Sequence, residues 1–317
     1  MADAKTAEAL VPKFVYEKTL NQDQAGRRTA LYGTIDAQPA LLVLERAPFP
    51  TSKAYAEGVA VGLDSVRNLG ANDVYFWFMG IEGSVQTTPA EAKENLKINL
   101  IYPCTPQHIR KYSRQGVRFV TETPSIYRDG VRPYMQAQRD AGRLNWVYNI
   151  IEGKKEVEDV IFRTPFDASA PNTEGFLMLP DLNWDRKTLE SLHLLAIVER
   201  RDLWSLRDLK RRDIPWLRHM REQLIQSTLQ VYTDLDADQL KLYVHYQPTY
   251  YHFHVHIVHV QLEAGATQAT GKAVGLESII EQLEHMAGGD EAGMDAVALS
   301  YTLGEASELW QTVYQKK

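Results

Sequence analysis

The sequence predicts an α+β protein with two domains, a smaller one over residues 1–115 and a larger one over residues 125–317. The length of 317 residues exceeds that of a typical single domain. Short segments rich in aliphatic and aromatic residues indicate strands in the first half, whereas the second half combines strand patterns with clear helical ones. Residues 116–124 (GVRFVTETP) separate the halves and are predicted to form a hinge.

The N-terminal half contains three segments typical of strands, at Ala40–Leu44, Val74–Phe78 and Leu96–Tyr102. Between the first two, Ala54–Val66 combines helix-forming residues with two glycines and is predicted to be helical. The basic stretch His108–Arg114 is predicted to form a second helix. Strands and helices are therefore expected together in this domain.

Two helices and, between them, a short turn or helix are predicted in the middle of the chain from their capping residues. Asp185 resembles an N-cap, and the apolar residues after it have helical spacing. Ser205 and Asp208 have the spacing of a capping box, and Asp213 opens a long helix with Pro215 in its first turn. The apolar positions of the first of these helices are Leu189, Leu192, Leu195 and Ala196.

The remaining elements alternate between strands and helices. The predicted strands are Lys241–Gln247, Tyr251–Leu262 and Ala296–Leu303, and the predicted helices are Leu276–Met286 and Ala306–Tyr314. A Pro248–Thr249 turn separates the first two strands. This order favours an antiparallel sheet covered by helices.

Composition excludes several functional classes. A net charge of -6 argues against a protein that coats long nucleic acid, because such binding depends on many Lys and Arg contacts with phosphates. The single cysteine, Cys104, excludes an internal disulfide framework and favours a reducing compartment. The N-terminus has no secretory signal pattern, and the apolar runs are far too short for a membrane span. A soluble intracellular protein is expected.

Three of the nine histidines alternate in the segment YYHFHVHIVHV, as His252, His254 and His256. Side chains of a strand alternate between its faces, so these three imidazoles are predicted to share one face. The opposite face, with Phe253, Val255, Ile257 and the structural histidine His259, is predicted to pack into the core. Imidazole can attack phosphorus, transfer protons or bind a metal. The pattern alone therefore leaves a zinc site and a nucleophilic phosphate site both open.

The segment His252–Val258 resembles the signature of the histidine-triad hydrolases and transferases, in which alternate residues are histidine and the rest apolar. The longer sequence HYQPTYYHFHVHI, at His245–Ile257, is similar to that of the scavenger mRNA decapping enzymes. Further blocks similar to that family are IYPCT (101–105), WVYNI (146–150), LPDLNW (179–184) and ERRDLWSLRDL (199–209). The matches extend in order from about residue 40 to residue 310.

The resemblance assigns catalytic roles to four histidines. It makes His254 the nucleophile that forms a covalent nucleotidyl-histidine, with its other ring nitrogen oriented by a backbone carbonyl. His252, His256 and His245 are expected to contact the phosphate chain, and one of the triad flanks to protonate the leaving group. The resemblance implies no cofactor and no metal.

The resemblance also implies a pocket for a methylated guanine. Trp146 is expected to stack on the cationic base and Leu182 to cover its other side. Glu156 is expected to accept hydrogen bonds from the base, and Asp181 to hold the ribose. The family would place four further residues on the cap or the phosphates: Asn72, Tyr75, Lys111 and Lys272. This chain departs from the family pattern at Asn183, where lysine is usual, and at His193, where tyrosine is expected.

By this resemblance the chain is expected to be a domain-swapped homodimer of histidine-triad fold, located in the cytoplasm, the nucleus or both. Its expected substrates are a methylated cap dinucleotide and short capped RNA, with release of 7-methylguanosine monophosphate. Long nucleic acid and membranes are not expected partners. Three alternatives remain: a histidine-triad hydrolase of dinucleoside polyphosphates or phosphoramidates, a cap-binding regulator without turnover, and a metalloenzyme.

Overall fold

The computed structural model describes residues 8–23, 27–46, 49, 52–72, 74–83, 96–167, 169, 172–181 and 184–315. At positions 71, 72, 75 and 77 it describes the backbone only. The chain divides into two compact units, Met1–Gln115 and Gly116–Lys317. Among the described residues, no helix has the length and apolar character needed to cross a membrane.

The N-terminal unit contains a four-stranded antiparallel sheet in the order β1-β2-β3-β6 and a separate hairpin of β4 and β5. The strands are β1 (Val15–Gln22), β2 (Arg28–Ile35), β3 (Gln38–Arg46), β4 (Leu63–Asn72), β5 (Tyr75–Glu82) and β6 (Leu96–Ile101). Its helices are α1 (Lys53–Gly58) and α2 (Pro106–Tyr112). Of the three strands predicted from sequence, Ala40–Leu44 falls within β3, whereas Val74–Phe78 and Leu96–Tyr102 each extend one residue beyond β5 and β6.

The helix predicted over Ala54–Val66 is wrong in its second half. Ser52 caps α1 by accepting a hydrogen bond from the backbone N–H of Tyr55, but α1 ends at Gly58 and β4 begins at Leu63. Gly58 and Gly62 lie at this transition, where glycine lowers the cost of leaving the helical conformation.

The C-terminal unit is built on a six-stranded antiparallel sheet in the order β13-β11-β12-β10-β9-β8. Its strands are β8 (Phe162–Arg163), β9 (Phe176–Pro180), β10 (His193–Val198), β11 (Leu240–His245), β12 (His254–His259) and β13 (Ala273–Gly275). Its helices are α3 (Pro124–Ile126), α4 (Arg132–Asp140), α5 (Asn145–Ile151), α6 (Ile214–Val231) and α7 (Leu276–His285).

The helix predicted after Asp185 is wrong, because residues His193–Val198 form the central strand β10. Asp185 does accept hydrogen bonds from the N–H groups of Lys187 and Thr188, but these close a turn before the 3-10 turn Leu189–Ser191. Strand β10 lies between β12 and β9 and is covered on both faces, so its side chains are apolar without alternation. For this reason the apolar positions of β10 also fit the spacing expected of a helix.

The other capping predictions are confirmed. Ser205 and Asp208 form a capping box around a 3-10 turn, and α6 follows Asp213 with Pro215 in its first turn. The helix predicted at Leu276–Met286 is α7. The last helical segment begins later than predicted, with a π turn at Trp310–Tyr314.

The two faces of the large sheet have separate cores. Alternate residues of β12, together with α6 and α7, form the main core, which contains Phe253, Val255 and Ile257 as predicted. The opposite face packs Leu177, Leu179 and Ile197 against α5. Residues of β12 and β10 with the other parity, including His254, His256 and His193, therefore lie on the α5 side of the sheet.

Most of the predicted hinge at residues 116–124 is a strand. Residues Val117–Glu122 form β7, which pairs in antiparallel register with β14 (Leu299–Gly304). This pairing places the segment in the C-terminal unit. Movement of the two units about it stays a prediction.

Candidate active site

The triad segment occupies the middle of the large sheet. Strand β12 pairs with β10, where Leu195 is opposite His256 and Ile197 is opposite His254, and with β11, where Tyr243 is opposite His256. His254 and His256 are buried side by side, with ring centroids 5.4 Å apart. Strand pairing therefore fixes the backbone of His256 on two sides and that of His254 on the β10 side.

The ring of His254 is oriented by the backbone. Its Nδ1 atom lies 2.7 Å from the carbonyl oxygen of His252, which accepts the N–H of that nitrogen. The Nε2 atom therefore carries the lone pair, as a nucleophile requires. Burial lowers the pKa of His254 to about 3, so the ring is neutral at pH 7.

His256 is held by a fourth imidazole. Its Nδ1 atom lies 3.0 Å from Nε2 of His193, whose Nε2 is also 3.7 Å from a carboxylate oxygen of Asp181. The Tyr243 ring stacks on His256, with centroids 5.0 Å apart and planes 6° apart. Burial lowers the pKa of both imidazoles, and the Asp181 carboxylate opposes this shift at His193. The Nε2 atom of His256 is buried and makes no hydrogen bond with any residue that the structure describes.

His245 completes the cluster from the end of β11. Its ring centroid is 4.1 Å from that of His256, and its Nε2 donates to the carbonyl of Thr267 at 2.8 Å. Burial and, to a smaller extent, the nearby Lys272 ammonium lower the pKa of His245 to about 4. Its Nδ1 atom therefore keeps a lone pair at neutral pH.

His252 has a different position from the other two triad histidines. It precedes β12, and its ring is fully buried with Nε2 2.7 Å from the carbonyl oxygen of Val198. The edge of the Tyr148 ring approaches it at a centroid distance of 5.8 Å. The observed contribution of His252 is the backbone carbonyl that orients His254, and the phosphate contact expected of its ring stays a prediction.

The cluster also has the composition of a metal site. His245, His254 and His256 each offer one ring nitrogen, and the three nitrogens lie within 4.8 Å of one another. Zinc bonds to imidazole at about 2.0–2.1 Å, so a tetrahedral ion needs its nitrogens roughly 3.4 Å apart. The same three nitrogens can donate to or attack a phosphate, so geometry alone does not separate the two chemistries.

A series of aromatic contacts connects the nucleophile His254 with the protein surface. The ring of Tyr250 stacks on His254 with centroids 4.3 Å apart and planes 17° apart. The ring of Trp146, at the start of α5, meets Tyr250 at 4.8 Å and 75°. Trp146 keeps 45% of its surface exposed, so its outer face is free to stack on a ligand. A cavity of about 390 Å³ is lined by Trp146 and Tyr250 and also by Lys272, Thr249 and Gln247.

The comparisons with known proteins agree with this geometry. The family models described as "Scavenger mRNA decapping enzyme (DcpS) N-terminal" and "Scavenger mRNA decapping enzyme C-term binding" match residues 9–115 and 145–271. The m7GpppX diphosphatase of Schizosaccharomyces pombe is 35% identical over 302 residues, which cover 95% of this chain and 94% of that protein. The chain belongs to the scavenger mRNA decapping enzyme family.

Relatives from animals extend this membership. The m7GpppX diphosphatase of Ascaris suum is 34% identical over 86% of this chain and 85% of its own length. The human m7GpppX diphosphatase is 32% identical over 86% of this chain and 77% of its own length. The matches include both units, as expected for the two-domain architecture of the scavenger decapping enzymes.

The structure brings several of the pocket residues expected of a scavenger decapping enzyme close to the histidines. Besides burial, the negative charges of Asp181 and Glu156 raise the pKa of Tyr250, so both carboxylates lie near its ring. Glu156 is exposed, with a left-handed backbone conformation (φ 54°), and begins the 3-10 turn Val157–Asp159. The Lys272 ammonium donates to the carbonyl of Gln247 at 2.5 Å, and burial lowers its pKa.

The other expected pocket residues belong to the N-terminal unit or lie outside the described residues. Asn72 and Tyr75 are opposite each other at the end of the β4–β5 hairpin, and their side chains lie outside the described part of the structure. Lys111 lies in α2, with its ammonium 5.5 Å from the ring centroid of Tyr112. Leu182 and Asn183 lie outside the described residues. The roles expected for these residues stay predictions.

The sequence patterns do not predict the contacts of two site residues. Tyr250, in the segment before the triad, covers the nucleophile with its ring. His193, a departure from the family pattern, contacts His256. Parity could have indicated His193, because a polar residue in an otherwise apolar central strand needs a partner.

Proposed function

We propose that this chain hydrolyses the 5′–5′ triphosphate of methylated cap dinucleotides and short capped RNA, and releases 7-methylguanosine monophosphate. The observation that carries the proposal is the continuous contact from Trp146 through Tyr250 to His254. It puts a free aromatic face for a cationic base within reach of a nucleophile with a fixed lone pair. The names of the relatives, m7GpppX diphosphatase, agree with this substrate.

The first chemical step is attack by His254 Nε2 on the phosphorus next to the methylated nucleoside. A P–N bond forms, the P–O bond to the next phosphate breaks, and the second nucleotide leaves as its diphosphate. The buried Nε2 of His256 lies beside this atom and is available for the phosphate oxygens or the leaving group. Because the ring is neutral, the attacking lone pair is present at pH 7 without prior deprotonation.

The second step regenerates the free imidazole of His254. Water attacks the nucleotidyl-phosphorus, the P–N bond breaks, and the monophosphate leaves while the water proton passes to a neighbouring base. The Nδ1 hydrogen bond to the His252 carbonyl stabilises the positive charge that the ring carries while it is bonded to phosphorus. Lys272 supplies a donor for the remaining phosphate oxygens in this scheme, and His245 contacts them once its Nδ1 has accepted a proton.

The expected homodimer belongs to the same proposal. The hairpin of β4 and β5 carries apolar side chains that are each more than half exposed: Val66, Leu69, Phe76, Phe78, Met79 and Ile81. A two-stranded hairpin is marginally stable in isolation, and an exposed apolar surface of this kind favours a partner. A second copy of the chain is the proposed partner, and closure of the N-terminal unit over the cap would exclude water from the reaction.

Turnover of a methylated cap dinucleotide by wild type, His254→Asn and His259→Asn tests the mechanism, with chelator present throughout. His259 lies in the same strand and is equally buried, but it faces the core, where Nδ1 accepts the backbone N–H of Gln261. We expect turnover by wild type and His259→Asn, none by His254→Asn, and a nucleotidyl adduct on His254 in acid-quenched protein. Loss of activity in chelator would favour the metalloenzyme, and equal cleavage of an unmethylated dinucleoside polyphosphate would exclude the cap specificity.

A further inference from the structure

Glu122, the last residue of β7, has a fully buried carboxylate that accepts hydrogen bonds on both oxygens. Oε1 accepts from Nε of Arg207 at 2.9 Å and from the Tyr246 hydroxyl at 2.5 Å. Oε2 accepts from Nε2 of Gln247 at 3.1 Å and from the Tyr301 hydroxyl at 2.6 Å. Four side chains from different parts of the C-terminal unit therefore converge on one carboxylate.

The partner charge, Arg207, is equally buried. A second guanidinium nitrogen of Arg207 lies 2.7 Å from Oε1 of Glu122, and the third donates to the carbonyls of Met294 and Val297 at 2.7 and 2.6 Å. The cost of desolvating a buried ion pair offsets most of its attraction, so such a pair is weak evidence for stability. The role of this ion pair is therefore sought in the positions of the residues that it holds.

The geometry fixed here is that of the Tyr246–Gln247 turn, which directly follows His245. The backbone N–H of Tyr246 donates to the carbonyl of Lys272 at 2.8 Å, and the Lys272 ammonium donates to the carbonyl of Gln247. The side-chain oxygen of Gln247 also accepts from the hydroxyl of Tyr251, next to the triad. The two turn residues that bind Glu122 thus hold Lys272 at both its backbone and its charged end.

We propose that Glu122 is a positioning residue for the phosphate-binding end of the site, acting on His245 and Lys272 through the Tyr246–Gln247 turn. This inference rests on the proposed function, in which those two residues contact the phosphate chain. Glu122 forms hydrogen bonds with the turn. Other elements of the fold position Trp146 and the His252 carbonyl that orients the nucleophile. Its loss should therefore weaken recognition of the phosphates and leave recognition of the methylated base unchanged.

The test measures binding in the His254→Asn background, which keeps the cap dinucleotide intact, with 7-methylguanosine as the phosphate-free probe. Glu122→Gln leaves the Arg207 charge unpaired and can prevent folding. Tyr246→Phe is therefore the principal variant, because it keeps the ion pair and removes one hydroxyl, which donates to Glu122 and accepts from Nε of Arg207 at 3.2 Å. Tyr127→Phe is the matched control, since Tyr127 is also buried and its ring lies 5.0 Å from the Arg207 guanidinium, but it does not bind Glu122.

We expect Tyr246→Phe to reduce the affinity for the dinucleotide by about tenfold, as a misplaced contact group does. Affinity for 7-methylguanosine should stay within twofold, and Tyr127→Phe should change neither.

Each other outcome overturns the inference in a different way. Equal losses for both ligands would mean that the network is only structural. An unchanged dinucleotide affinity in Tyr246→Phe, and in Glu122→Gln if circular dichroism shows that it folds, would remove the positioning role and leave the proposed function intact. If the His254→Asn parent binds the dinucleotide no more tightly than 7-methylguanosine, the phosphate contacts of the proposed function are themselves wrong.

Discussion

The Nδ1 atom of His254 lies 2.7 Å from the carbonyl oxygen of His252, two residues earlier in the same segment. In this arrangement a main-chain acceptor fixes the imidazole tautomer, a task that a buried aspartate performs in serine proteases. The neighbouring rings of His245 and His256 leave one further nitrogen each directed at the same small volume. The cluster is therefore prepared for attack on phosphorus while all its rings are neutral.

The first prediction concerns the pH dependence of kcat/KM, which reports ionisations of the free enzyme. Burial lowers the pKa of His254 to about 3 and that of His245 to about 4. Protonation of these rings would abolish the attacking and accepting lone pairs only below about pH 5. We expect kcat/KM for a cap dinucleotide to stay level from pH 7 down to pH 5, and an acid limb near pH 6.5 would contradict the burial of the cluster.

Tyr250 should act through its ring and not through its hydroxyl. The hydroxyl is buried and has no hydrogen-bond partner among the described residues, whereas the ring stacks on His254. Removing an unpaired buried polar group is close to neutral. We expect Tyr250→Phe to keep kcat within about twofold and Tyr250→Leu to lower it by about tenfold or more, measured with a cap dinucleotide. Equal losses in the two variants would show that the hydroxyl has a role in the reaction.

His193 should support catalysis through His256. A residue that orients a functional histidine typically contributes about 10–100-fold, as measured for partners of metal-bound imidazoles. We expect His193→Phe to lower kcat by roughly tenfold, with unchanged binding of 7-methylguanosine. His285→Phe, at the exposed end of α7, provides the control, and activity equal to wild type in His193→Phe would deny His193 this role.

Trp146 should determine the preference for a methylated base. A cation over an indole face contributes about 0.5–2 kcal/mol, which corresponds to roughly 2–30-fold in affinity. We expect Trp146→Ala to raise KM for methylated caps more than for unmethylated ones, and Trp146→Phe to restore part of the difference. Since nearly half of this side chain is exposed, thermal stability should change little. A uniform increase in KM for both substrates would assign the base to another surface.

The buried histidines should also destabilise the fold in acid. Burial lowers the pKa of His252 to about 4, whereas an unfolded histidine titrates near 6.5. The unfolded chain therefore binds more protons in this window, and the free energy of unfolding falls as the pH falls from about 6.5 towards 4. We expect His252→Gln to lose less stability than wild type between pH 7 and 4.5, with a difference on the order of 2 kcal/mol, by urea denaturation. Parallel curves for the two proteins would show that His252 titrates normally.

Local patterns in the sequence predict much of this molecule. The alternation of His254 and His256 with Val255 and Ile257 identifies both the strand and its two faces, and the capping residues Ser205 and Asp213 locate two helix starts. Such patterns fail where burial is complete. Strand β10 is apolar on both sides, so its leucines fit a helix as well as a central strand.

Contacts between distant segments cannot be predicted from a single sequence. His193 reaches His256 because β10 and β12 pair in one particular register, and a shift of one residue would turn His193 to the other face. Glu122 reaches Arg207 and the Tyr246–Gln247 turn across 85 to 125 positions of the chain. Charged residues at such spacings give no periodic signal, so the network could not be predicted.

Because a peptide carbonyl orients His254, the orienting group is encoded by no particular codon. Most substitutions at position 252 change the side chain but keep the carbonyl oxygen in place. The orientation of His254 should therefore tolerate substitutions that would disable an enzyme whose catalytic histidine is oriented by an acidic side chain. The effect of substituting His252 should therefore come from the contacts of its ring, namely the bond to Val198 and the packing against Tyr148. Substitution series at this position would separate the catalytic contribution of the main chain from the structural contribution of the imidazole.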